Sequence, residues 1–152
     1  MATTPMPEWI KQRSADKRED AILRIKGKDG AQFWSQLFRS LEENVKFLPK
    51  LGVYGSVSNL TTIADKEQRY RLNAGRRGQL PSITYTDLFY RPEQTSISYR
   101  TLEGDQSTFQ LCLLPEVGVG VIPEGEFERL DVRALAERLM AEAVDRLAEI
   151  TL

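Results

Sequence analysis

The chain has 152 residues, of which 41% are hydrophobic and 28% are charged, and its formal net charge is −1. This length fits one ordinary domain with a packed core, and the near-zero net charge gives no overall attraction to nucleic acids or membranes. The sequence contains no histidine and a single cysteine, which excludes histidine-based triads, histidine metal sites, an internal disulfide and cysteine-ligated zinc.

The N-terminal part differs in composition from the rest of the chain. Residues 1–8 contain two prolines and no apolar periodicity, and we expect a disordered tail. Residues 9–28 are rich in charged and helix-forming residues, and they predict a solvated helical arm, with a short strand over 21–26 as the alternative. Trp9 stands among polar residues, so this arm is a candidate for docking on a partner, a second copy or its own domain. Residues 29–152 are interpreted as a single α+β domain.

A helix is predicted over residues 31–48. Trp34, Leu37 and Leu41 recur at steps of three and four residues, which places their side chains on one helical face. Pro49 marks its end.

The apolar pattern changes to a period of two between residues 51 and 122, which is typical of strands with one apolar and one mixed face. The sequences that connect the later candidate strands are short, and strands joined by short turns must be antiparallel neighbours. We therefore expect a meander of five or six strands. The candidate strands are residues 51–58, 67–74, 82–90, 95–102, 108–114 and 117–122.

A second apolar stripe predicts a helix over residues 131–149, with Asp131 as its N-cap. The expected fold is an α+β two-layer sandwich in which an antiparallel β-meander of five or six strands carries an N-terminal helix and a C-terminal helix on one face. The competing layout places the helices 31–48 and 131–149 on opposite faces.

The most distinctive candidate site is the basic segment 66–78. Arg69 and Arg71 point the same way from a predicted strand, and Arg76 and Arg77 lie in a loop bounded by glycines. Arginines beside aromatic residues are typical of single-stranded nucleic-acid binding, whereas the alternative is a solvated strand with a charged hairpin tip. The candidates for nucleic-acid or anion binding are Arg69, Arg71, Arg76, Arg77, Arg100 and Tyr70.

Asp87 is the carboxylate that invites a chemical interpretation, because it shares a strand face with aromatic residues. Such surroundings can raise the pKa of a carboxyl group and make it an acid or base, although pairing with an arginine such as Arg100 is an alternative. No catalytic constellation and no metal site is predicted, and we expect no cofactor. The candidates for a small-molecule pocket between helices and sheet are Trp34, Tyr85, Asp87 and Tyr99.

The sequence favours a non-enzymatic protein-interaction or adaptor domain that associates with a protein partner or with itself, through a sheet edge or the N-terminal arm. Nucleic-acid binding and small-molecule binding are the alternatives. No apolar run approaches the roughly 20 residues of a membrane span, and no secretory signal is evident, so we expect a cytoplasmic protein without membrane contact. Arginines and tyrosines gathered on the uncovered side of the sheet would favour nucleic acid, and a large flat apolar patch would favour a protein partner.

Overall fold

The computed structural model describes residues 4–61, 68–78, 82–115 and 117–147. The α-helices among them are α1 (Glu8–Arg24), α2 (Gly30–Val45) and α3 (Val132–Arg146), and short 3-10 helices cover Leu48–Leu51 and Pro92–Gln94. The strands are β1 (Val53–Asn59), β2 (Gln68–Arg76), β3 (Ser82–Arg91), β4 (Ser96–Thr101), β5 (Gln106–Leu114) and β6 (Gly118–Pro123).

The six strands form one antiparallel sheet in which each strand lies beside its neighbours in the chain. Such an order follows from the short connections, which leave no length for a crossover. The structure thus confirms the α+β class and the antiparallel meander, with six strands. Glu116, in the break predicted before the last strand, lies outside the described residues.

Side chains alternate between the two faces of this sheet, as strand geometry requires. The buried side chains on one face belong to a single apolar cluster, which also contains Trp34, Leu37 and Leu41 of α2 and Leu139 of α3. The strand members of this cluster include Tyr70, Leu72, Leu88, Ile97, Phe109 and Val121. The opposite face of the three central strands carries Arg69, Arg71, Asn73, Tyr85, Asp87, Phe89, Ser98 and Arg100, and is called the arginine face below.

Helix α2 packs on the sheet through stacked aromatic rings. The ring of Trp34 lies parallel to that of Tyr70 with 3.8 Å between centroids, and the ring of Tyr90 stacks nearby at 5.6 Å. The Tyr70 hydroxyl donates a hydrogen bond to the Trp34 carbonyl oxygen over 3.1 Å. Because buried aromatic pairs add stability beyond their area, this contact fixes the position of α2 on β2 and β3.

The predicted N-terminal arm is helical up to Arg24, so the alternative of a strand over residues 21–26 is wrong. A widened turn, Ile25–Asp29, joins α1 to α2, and Gly27 leaves the helical region there with ψ −131°. Helix α1 has no buried residue, and Trp9 is 64% exposed. The tail predicted over residues 1–8 is one residue too long, because Glu8 already belongs to α1, and the disorder of the preceding residues stays a prediction, with residues 1–3 outside the described ranges.

The last helix begins as the sequence predicts. The Asp131 side chain accepts a hydrogen bond of 2.8 Å from the Ala134 backbone N–H, and such a cap contributes about 1 kcal/mol. The helix ends at Arg146, and residues 148–149 of the predicted range lie outside the described part of the chain. Within that part, no helix is both long and apolar enough to cross a membrane.

Candidate nucleic-acid interface

The arginine face is organised by the pairing of β2, β3 and β4. Arg71 stands directly opposite Asp87 on one side, and Arg100 stands opposite it on the other. Arg69 is paired with Phe89, one pleat further along the same strands. Directly opposite residues in antiparallel strands have neighbouring side chains, so the strand pairing brings these three arginines to the same face as Asp87.

Asp87 is held by both arginines of β2. Arg71 donates from Nε to Oδ1 over 2.7 Å and from Nη2 to Oδ2 over 3.0 Å, which is a bidentate contact, and Arg69 Nη2 donates to Oδ2 over 2.7 Å. The Asp87 side chain is 1% exposed, whereas those of Arg69 and Arg71 are 32% and 31% exposed. The two arginines therefore cover the carboxylate, while about a third of each arginine side chain stays exposed.

Hydrogen bonding decides the charge state of Asp87. Burial on its own would raise the pKa of this carboxyl group, but the hydrogen bonds and positive charges of Arg71 and Arg69 outweigh burial and lower the pKa below its ordinary value. The suggestion that its aromatic surroundings raise the pKa of Asp87 is therefore wrong. Asp87 is paired, and its partners are Arg69 and Arg71 rather than Arg100.

Guanidinium groups also lie against the aromatic rings of β3. Arg71 is 4.2 Å from the centroid of the Tyr85 ring, and Phe89 has Arg69 at 5.5 Å and Arg100 at 5.7 Å. These distances suit cation–π attraction, which orders the arginines without using their N–H donors. Phe89 was not among the predicted site residues, although it has the same strand parity as Tyr85 and could have been found from the alternation.

The arginine face carries a local excess of positive charge. Arg69, Arg71 and Arg100 surround a single acid, and Asp87 is the one acidic residue in the described strands. Arg69 Nε is buried and has no hydrogen-bond partner among the described residues, so the exposed part of its side chain must supply any contact with a ligand. Three cations against one anion leave two positive charges, an arrangement suited to phosphate or carboxylate oxygens.

Three of the predicted nucleic-acid candidates lie elsewhere. Tyr70 is a core residue, 4% exposed, because its parity in β2 turns it toward Trp34. Arg76 is the last residue of β2 rather than part of a loop, and its Nη1 donates to the Leu51 carbonyl oxygen over 3.3 Å. Arg77 is exposed beside the Tyr54 ring, 5.4 Å from its centroid. Lys66 and Glu67, which began the basic segment, are outside the described residues.

The four pocket candidates do not form one pocket. Trp34 is packed within the aromatic stack, and Tyr85 and Asp87 lie on the arginine face. Tyr99 stacks on Phe109 and lines a separate surface cavity of about 530 Å³ with Arg146. Side chains thus fill the predicted space around Trp34, since the stacked rings leave no room for a ligand.

Neither metal-binding groups nor comparison with known proteins points to another functional site among the described residues. The described residues contain no group of three or more histidine, cysteine, aspartate or glutamate side chains that could hold a metal ion. No protein-family model, curated protein or solved structure matches the chain.

Proposed function

We propose that this protein is a non-enzymatic binding domain whose arginine face takes up single-stranded nucleic acid. The observation that carries the proposal is the grouping of Arg69, Arg71 and Arg100 with the rings of Tyr85 and Phe89 on adjacent strands. Phosphates pair with guanidinium groups, and bases stack on aromatic rings or on guanidinium planes.

The layered arrangement supports this assignment. Helices α2 and α3 both contribute to the apolar cluster on the far side of the sheet, and we take both helices to shield that one side. The arginine face is then the side left for a partner. A strand surface with rings between cations is a known solution for single-stranded ligands, because every base has a π-face whatever its sequence.

Fluorescence anisotropy with a labelled single-stranded oligonucleotide, titrated across a salt series, tests the proposal. If all three arginines contact phosphates, the logarithm of the binding constant should fall with the logarithm of salt concentration with a slope of about −2. Absence of binding at low salt would refute the proposal.

A matched pair of charge variants locates the site. Arg100→Ala removes an exposed arginine that lies over Phe89 and forms no ion pair among the described residues, and we expect binding to weaken about fivefold with a shallower salt slope. Arg133→Ala removes the same charge from an exposed position on α3 and should leave binding unchanged. Equal losses in both variants would place the binding site elsewhere.

Phe89→Leu separates base stacking from charge attraction. The variant keeps an apolar side chain between the arginines but removes the ring, and loss of one stacked base should weaken binding about tenfold. An acidic polypeptide such as polyglutamate has no bases to stack, so its binding should not respond to this change. If the oligonucleotide is equally insensitive, the face is a general anion site.

The protein-interaction role expected from the sequence is the second candidate. It is favoured by a different part of the sheet, the edge that β1 forms.

A further inference from the structure

The two edge strands of the sheet, β1 and β6, differ in whether backbone groups pair with their outer sides. The outer edge of β6 is covered in its middle, where Val121 and Leu130 exchange two backbone hydrogen bonds of 2.8 Å, and this strand ends at Pro123. Strand β1 pairs with β2 on its inner side, and within the described residues no backbone group pairs with its outer side. As far as the described residues go, the outer side of β1 is therefore a row of backbone donors and acceptors open to another strand.

The sequence of β1 does not protect this edge. It reads Val-Tyr-Gly-Ser-Val-Ser-Asn and contains neither a charged residue nor a proline, which are the usual devices that prevent edge-to-edge pairing. Large apolar side chains are exposed within it and beside it, with Leu51 at 59%, Tyr54 at 43% and Leu60 at 38%. An uncharged edge flanked by exposed apolar groups favours pairing with another strand.

Space for such a strand exists beside β1. A groove of about 530 Å³ runs between α2 and β1, and Gly55, Ser56 and Val57 form its strand side. Its helical wall carries charges of both signs, from Arg39, Glu42, Glu43 and Lys46. An incoming strand could use this groove without meeting a wall of a single charge.

We infer that the occupant of this edge is β1 of a second copy, paired antiparallel about a two-fold axis. Such an interface is self-complementary, and because β1 carries no charge, no like charges come to lie opposite each other. Registers that keep residue parity place Val53 and Val57 of both copies on the helix side of the sheet and Ser56 of both on the other side. The six strands of one copy then continue into the six of the other, and the two arginine faces lie on one surface.

Sedimentation equilibrium of the full chain tests this inference. We expect a reversible dimer in the micromolar range typical of a modest interface. Ser56→Lys places a charge at the exposed centre of β1, and it should weaken the dimer at least about tenfold because two lysines then meet near the axis. Ser35→Lys adds the same charge at an exposed position of α2 and should leave the dimer intact.

Backbone hydrogen exchange gives a readout that does not depend on a variant. In the wild-type chain the outward amides of β1 should become protected as the protein concentration rises, whereas exchange in β3 should not change with concentration. The far-UV circular dichroism spectrum of Ser56→Lys should match that of Ser35→Lys, and their thermal midpoints should agree at a concentration low enough for both to be monomeric, which shows that the variant is folded. A wild-type chain that stays monomeric with fast-exchanging β1 amides would overturn the inference, and so would a dimer that Ser56→Lys leaves undiminished.

Discussion

Among single residues of the sheet, Asp87 is a carboxylate that is almost completely buried. A carboxylate taken almost entirely out of water loses much hydration energy unless hydrogen bonds and opposite charge replace it. Arg71 and Arg69 supply three such bonds. The two arginines are also the groups proposed to hold phosphate, so the same carboxylate orients them before a ligand arrives.

Asp87→Asn should lower the free energy of unfolding by about 2 kcal/mol at neutral pH, because hydrogen bonds to an ionised partner are lost. The folded-state pKa of Asp87 is lower than the unfolded value, so its stabilising contribution is complete above about pH 4 and is lost as the pH falls through the folded-state pKa. Urea unfolding across a pH series should therefore show the two proteins converging in acid. Asp20→Asn, at an exposed position of α1, is the control, and a difference that persists undiminished in acid would contradict this account.

Tyr70→Phe distinguishes a core residue from an interface residue. Loss of the hydroxyl leaves the Trp34 carbonyl oxygen without this donor, and we expect a destabilisation of about 1 kcal/mol in urea unfolding. The ring stack on Trp34 is retained, and oligonucleotide affinity should be unchanged because Tyr70 faces away from Arg69 and Arg71. If Tyr70→Phe binds the oligonucleotide more weakly while its stability is nearly normal, Tyr70 is part of the binding interface after all.

At the scale of elements, periodicity predicted the strands well because each has one apolar face. The bounds of β3 and β6 fall within one residue of the predicted ranges. The partners of Asp87 were not predictable in this way, because they depend on the register between β2 and β3, which is set by tertiary packing. Tyr70 was misplaced for a different reason: it lies in a basic segment, although its parity with Leu72 already indicated the core.

Two glycines at the junction between α1 and α2, Gly27 and Gly30, differ in how much space surrounds them. A Cβ on Gly30 would lie 2.3 Å from the Ile25 carbonyl oxygen and 2.5 Å from the Tyr90 hydroxyl oxygen, whereas a Cβ on Gly27 would meet nothing within 4 Å. Gly30→Ala should therefore destabilise the protein by about 1–3 kcal/mol through overpacking, despite the better helix propensity of alanine. Gly27→Ala meets no such clash, although its ψ of −131° suits glycine better than alanine, and it should destabilise the protein less than Gly30→Ala in thermal unfolding. A neutral Gly30→Ala would show that the two helices join differently.

In the whole molecule, positive and negative charges are unevenly distributed although the net charge is close to zero. The described strands carry five arginines and one aspartate, although the chain as a whole has a net charge of −1. Net charge governs long-range attraction, but local clusters determine where an anion binds. The total charge therefore gives no sign of the local cluster of arginines, which the sequence indicated at residues 66–78 and the strand pairing extends to Arg100.

We propose that the arginine face of the sheet, and not the helices, receives the ligand. The most direct test is nuclear magnetic resonance of the arginine Nε–Hε groups during titration with a single-stranded oligonucleotide at low salt, where electrostatic binding is strongest. We predict shifts at Arg69, Arg71 and Arg100, with Arg39 of α2 and Arg133 of α3 unmoved. Shifts confined to the helical arginines, or no shifts at all, would contradict the claim.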